Sequence, residues 1–143
     1  MTEEAKKIIE KLSLEPLEGE GGYFRFLTEY GNGAGCIYYL VTEESFSHLH
    51  LLTDDEVWVF LDGDRARQIT VDQSLSLSRT VLGPENRVVN VEKNHFQGTK
   101  LLENNHGYAL FSTFMSPRYK GEMYMEGKKD PRIREMEEVK EYL

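Results

Sequence analysis

The sequence predicts an all-β protein, a sandwich or barrel flanked by a short helix at each end. The first observation is that short runs of alternating apolar and polar residues fill the middle of the chain, with turn residues roughly every eight to twelve positions. The second is that stretches with helical spacing lie only at the ends. The third is the absence of any internal repeat, low-complexity stretch or linker. The 143 residues, 39% of them hydrophobic, suit one core of ordinary size, so positions 1–143 are read as a single domain.

Taken in order, Glu3 to Leu12 carries Ala5, Ile8, Ile9 and Leu12 on one stripe, which predicts an amphipathic helix. Leu14 to Gly22 is a loop, broken by Pro16 and three glycines. Tyr23 to Tyr30 reads as a strand. Gly31-Asn32-Gly33-Ala34-Gly35 reads as a hairpin turn. It is not a phosphate cradle, because no helix and no GKS or GKT follows. Cys36 to Val41 is an apolar strand, and Thr42 to Ser45 turns. Phe46 to Gly63 is read as two strands joined at Thr53-Asp54-Asp55, and Asp62-Gly63 is a turn signal. Further strands are expected over Arg65–Asp72, Ser74–Val81, Arg87–Val91, Thr99–Leu102 and Tyr108–Met115. Beyond Pro117, Arg118 to Lys129 is an edge strand or a covering loop. Asp130-Pro131 then starts a helix, with Asp as N-cap and Pro in the first turn. Ile133, Met136, Val139 or Lys140, and Leu143 mark its thin apolar stripe.

The net charge of −8 and pI of about 5.0 argue against a nucleic-acid partner, which requires a basic face. No run of about 18 apolar residues is present, so no membrane span is expected. The N-terminus is charged and helical rather than a signal peptide. The single cysteine, Cys36, cannot form an internal disulfide and reads as a small buried hydrophobe. A reducing cytoplasm is the simplest compartment. No GxSxG or HExxH signature occurs, which argues against those hydrolase chemistries.

The chemistry concentrates in Phe46–Gly63. His48 and His50, two apart on a strand, are expected on one face. A hairpin would swing Glu56 beside them. Two imidazoles and a carboxylate inside a barrel form a candidate divalent-metal site. The same residues also fit a plain buried hairpin, with His48 outward and His50 hydrogen-bonded to Glu56. Such a pair is itself an acid–base device. Trp58 and Phe60 are core or an aromatic wall. His106 falls in a surface turn with no chemical role expected.

His48-x-His50, then Glu56, then Gly63 resembles the first motif of the cupin superfamily. The gap from His50 to Glu56 is one residue longer than the common pattern. That longer gap resembles the small single-domain cupins of uncharacterised function, the cupin 5 family. Further matches are Glu20-Gly21-Gly22-Tyr23-Phe24-Arg25, Ile37-Tyr38-Tyr39-Leu40, Phe46-Ser47, Asp55-Glu56-Val57-Trp58 and Gly63-Asp64. The likeness runs from about Leu12 to Pro117, which sets a core of about 12–117 and a C-terminal extension of 118–143.

The resemblance implies a jelly-roll barrel with a small molecule bound inside. It also implies a second motif around Val91–Phe96. There Phe96 occupies the place of a histidine ligand and His95 comes one residue early. Neighbours on a strand face opposite ways, so only one of them can point inward. His95 is then a fourth ligand or a pocket wall. Arg25 is a candidate grip for a carboxylate or phosphate, or an exposed strand arginine. Tyr23, Tyr38 and Gln97 are candidate walls. Leu51 and Val59 replace an arginine and a histidine of the family pattern.

Three functional expectations follow from the resemblance. One is an isomerase, epimerase or dioxygenase whose divalent ion (iron, manganese, nickel or zinc) is held by His48, His50, Glu56 and His95. A second is a metal-free barrel that binds a sugar-like or nucleotide-sugar-like anion through Arg25, with His50 and Glu56 as polar pocket groups or, in a catalytic version of that barrel, its acid and base. The third is a storage or stress protein. Pairing through strand edges predicts a homodimer.

Overall fold

The computed structural model describes all 143 residues. Helix α1 (Glu3–Lys11) starts where Thr2 Oγ1 accepts a hydrogen bond from the Ala5 amide at 3.1 Å, and Glu3 and Glu4 suit its positive end. Its apolar stripe places Ala5, Ile8 and Ile9 against Leu40, Tyr108 and Leu110. The strands follow as β1 (Glu15–Pro16), β2 (Tyr23–Tyr30), β3 (Ala34–Val41), β4 (Ser47–Leu52), β5 (Glu56–Gly63) and β6 (Ala66–Val71). The rest are β7 (Leu77–Leu82), β8 (Val88–Val91), β9 (Phe96–Leu101), β10 (Ala109–Met115) and β11 (Tyr124–Glu126).

They form two antiparallel sheets, ordered β1-β2-β3-β10-β5-β8 and β11-β4-β9-β6-β7. The sheets face each other as a jelly-roll barrel. Tyr39, Trp58, Phe60, Ala66, Leu82 and Phe111 pack between them. Trp58 meets Tyr39 and Phe111 edge to face, at centroid distances of 5.6 and 5.1 Å, the arrangement favoured by ring quadrupoles.

The expected hairpin over 23–41 forms, as β2–β3, and the two strands expected over 65–81 form as β6 and β7, which pair with each other. The expected hairpin over Phe46–Gly63 does not. β4 pairs with β9 and β11, whereas β5 pairs with β10 and β8. The Thr53-Asp54-Asp55 link therefore carries the chain from one sheet to the other. Glu56 approaches His50 across the barrel rather than along a hairpin.

The segment after Pro117 closes the second sheet. β11 adds to its edge beside β4. Helix α2 (Pro131–Arg134) begins with the Asp130 side chain accepting from the Arg132 amide at 2.9 Å. It stops after one turn, because Met136 is extended (ψ 114°), and a 3-10 stretch over Glu137–Tyr142 follows. This break lets Ile133, Val139 and Tyr142 all bury against Leu49, Ile69, Val71 and Phe96 on the sheet's outer face.

Candidate functional site

A cavity of about 260 Å³ opens between the sheets. Phe24, Ile37, Tyr39, Trp58 and Met115 wall it, and its polar groups include Glu20, Glu56 and Thr113. Phe26 and Tyr119, both more than two-fifths exposed, lie at its mouth. Strand alternation explains the lining. On β3, Ile37 and Tyr39 point in while Tyr38 points out; on β2, Phe24 and Phe26 point in while Tyr23 and Arg25 point out.

Glu56 begins β5 and is buried. Trp58 Nε1 donates to Gln97 Oε1 at 3.0 Å, and Gln97 Nε2 donates to Glu56 Oε1 at 3.2 Å. The indole nitrogen can only donate, so it fixes the Gln97 amide with its NH₂ toward the carboxyl. Burial, and then the nearby Glu20 carboxylate, push the Glu56 pKa from 4.5 to about 7; His50, Thr113 and Gln97 pull the other way. Near neutral pH the group exchanges a proton readily, and Oε2 is the oxygen that Gln97 leaves free.

His50 is fully buried and stacks on Tyr124, with ring centroids 5.3 Å apart. Its Nδ1 lies 2.7 Å from the His48 carbonyl, which places an N–H on Nδ1 and turns Nε2 toward Glu20 Oε1 at 3.7 Å. Ser47 Oγ donates to the other Glu20 oxygen at 3.2 Å. The Glu20 backbone is also held, its carbonyl accepting from His48 N at 2.9 Å and contacting His48 Nδ1 at 2.8 Å. Tyr39 Oη donates to the Gly21 carbonyl at 2.6 Å. Gly21 and Gly22 have φ of +94° and +74°, and a Cβ on either would collide with Phe46 or Tyr39. The glycine pair thus lets a loop press into the barrel mouth and deliver the Glu20 carboxylate.

The expected residues separate. His50, Glu56 and Gln97 come together inside the barrel. His48 does not join them. Ser47 pairs with Thr99 and His50 with Gln97, so β4 spends one residue more than β9 over that interval. This bulge breaks the two-residue alternation. His48 turns away to an outer groove beside Gly19, Tyr124 and Leu143, and packs on Phe46. His95 sits in the turn before β9, partly exposed, with Nε2 3.9 Å from Glu92. Phe96 is buried in the outer cluster, so neither faces the cavity; Gln97 is buried behind its wall, bonded to the lining residues Trp58 and Glu56. Arg25 donates to the Leu12 carbonyl at 3.3 Å on the outside. Tyr23 and Tyr38 pack beneath α1. Leu51 packs on the outer face, against the C-terminal cluster.

The two facing sheets with a polar-spotted cavity between them define a jelly-roll barrel. The chain belongs to the Cupin_5 family, described as Cupin superfamily (DUF985), which matches residues 6–125. It is similar in structure to a hypothetical protein from Leishmania major, at TM-score 0.78 and 23% identity over 85% of each chain. It is also similar to a protein from Shewanella oneidensis, at TM-score 0.76 and 25% identity over 87% of this chain and 85% of that one. Bacillus subtilis oxalate decarboxylase, whose structure is described with Mn(II) centres, shares the fold at TM-score 0.63 and 14% identity, over 80% of this chain and 30% of its own. No curated protein matches in sequence.

The donor set here does not fit a metal centre of the expected kind. No three His, Cys, Asp or Glu side chains are grouped to hold an ion. With His48 turned outward and His95 in a surface turn, the expected set reduces to His50 and Glu56. Sequence reading missed Glu20, although its Glu-Gly-Gly setting was the available signal. The glycine pair marked a tight approach of the backbone, and the residue just before it is the one delivered.

Proposed function

We propose that this cupin binds a small, largely apolar molecule in the barrel and exchanges a proton with it, without a metal ion. The observation that supports this most is Glu56: a carboxyl on the cavity wall, oriented by Gln97 and raised to about 7. An acid of that kind gives and takes protons at neutral pH. Glu56 Oε2 acts as the acid or base on the bound molecule. Glu20, backed by His50 and Ser47, keeps a second carboxylate at the site and adds to the rise in Glu56 proton affinity that burial begins. Phe24, Tyr39 and Trp58 exclude water and orient the apolar part. Proton removal and return beside a carbonyl, as in isomerisation or epimerisation, is the reaction class this arrangement serves.

The test is solvent deuterium exchange. Metal-free protein is incubated in D₂O with a panel of small ketones and keto-sugars, and exchange at the carbon beside the carbonyl is followed by proton NMR. Exchange by the wild type that is lost in Glu56→Gln is expected. No exchange across the panel, or exchange only after a divalent ion is added, contradicts the proposal. The protein is also proposed to pair as a homodimer through the edge of β2, where Phe26, Leu27 and Tyr30 are exposed. Light scattering that gives a monomer mass at micromolar concentration removes that element.

A further inference from the structure

The hydrogen-bonding groups of the cavity are lopsided. Glu20 and Glu56 both line it, and carboxylate oxygens accept. Arg118 is its one cationic lining residue, and it is engaged elsewhere: Nε lies 2.9 Å from Glu29 and the guanidinium sits over the Phe26 ring at 5.4 Å. The other polar lining groups include the hydroxyls of Thr113, Tyr39 and Tyr119, and Tyr39 Oη already donates to the Gly21 carbonyl. Arg25, the cation expected to hold an anion, is outside the barrel. Aromatic rings, Phe24, Tyr39, Trp58 and Tyr119, supply much of the remaining wall.

From this we propose that the barrel's ligand is a small organic ammonium ion with an apolar or aromatic body. The proposal rests on the cavity being the ligand site and names what it selects. An ammonium group donates hydrogen bonds and accepts none, so it complements a site of surplus acceptors. Charge-assisted bonds to a carboxylate are stronger than neutral ones, and ring faces attract a desolvated cation. An anion would instead face Glu20 and Glu56 at short range in a low-dielectric cavity. The protein's net charge of −8 draws cations and repels anions at longer range. This reverses the anionic ligand expected from Arg25.

Trp58 is the chain's only tryptophan and lines the cavity, so its fluorescence reads binding directly. Benzylamine, benzyl alcohol and benzoate share one shape and differ in charge. At pH 7.5 and low salt, benzylamine is expected to bind at least tenfold more tightly than benzyl alcohol, and benzoate to show no saturation. Glu20→Gln and Glu56→Gln are each expected to lose most of the preference for benzylamine over benzyl alcohol. Benzoate binding as tightly as benzylamine overturns the proposal. So does manganese(II) or zinc alone binding at micromolar concentration and displacing benzylamine. If the alcohol or benzoate binds and benzylamine does not, charge selection fails while the cavity stands as a ligand site. If none of the three binds, the cavity fails as a ligand site as well.

Discussion

His50 Nε2 faces Glu20 Oε1 at 3.7 Å, an approach that joins the loop at the barrel mouth to the buried wall of β4. His50 cannot turn away, because Nδ1 is held by the His48 carbonyl and its ring is stacked on Tyr124. Glu20 is fixed from the other side by Ser47 and by its own anchored backbone. The result is a carboxylate held beside Glu56, close enough to raise the Glu56 pKa.

Glu20→Gln is therefore expected to lower the Glu56 titration midpoint toward the ordinary carboxyl range. The shift is partial, because burial is the larger cause and remains. Side-chain carbon NMR of the variant checks it. An unchanged midpoint means that Glu20 does not act on Glu56.

Glu56 also ties stability to pH. Its folded pKa, about 7, lies above the ordinary 4.5, so between those values the folded state binds more protons than the unfolded state. Stability from this group is full below about pH 4.5 and falls as pH rises through 7, by about 3 kcal/mol in total. Glu56→Gln should remove that slope and exceed the wild type in urea stability at pH 8 by about 1–3 kcal/mol. A variant equally or less stable at pH 8, with the wild-type slope retained, contradicts the assignment.

Gln97→Leu should strand the Trp58 indole N–H and the Glu56 oxygen at once. Each buried group left unpaired costs about 1–3 kcal/mol. The Glu56 midpoint should move above 7, since Gln97 is one of the contacts that pull it down. Chemical unfolding and NMR titration report the two effects separately.

Gly22→Ala tests the loop that carries Glu20. At φ +74° an alanine costs about 1–2 kcal/mol from backbone strain alone, and its Cβ would strike the Tyr39 hydroxyl. Lower thermal stability, with a lowered Glu56 midpoint as Glu20 is displaced, is the expected pair of changes. An unchanged midpoint would show that the loop does not position Glu20.

Much of the fold is legible in the sequence because alternation and turn chemistry are local. The hairpin β2–β3, the strands β6 and β7, the Thr2-capped first helix and the Asp130-Pro131 helix start all follow from residues close to one another. Trp58, read as core or an aromatic wall, is buried and lines the cavity. The failures share a different cause. A bulge in β4 depends on its pairing with β9, which nothing near His48 announces, so the two-residue rule misplaced that histidine. The crossing of β4 and β5 to separate sheets is a choice between long-range partners. Arg25 lay one residue from the inward Phe24, and alternation sets its side only once that face is known. Glu20 belongs to the cavity through loop docking, where no periodicity operates.

The most direct test of the central claim is the titration of Glu56 in metal-free protein. Its side-chain carboxyl carbon would be followed by NMR from pH 4 to 9, with Glu56→Gln to assign the signal. A midpoint near 7, raised by burial and by the Glu20 carboxylate, supports a proton-exchanging carboxyl on the cavity wall. A midpoint near 4.5 would mean an ordinary carboxylate, and the acid–base account of this barrel would be wrong.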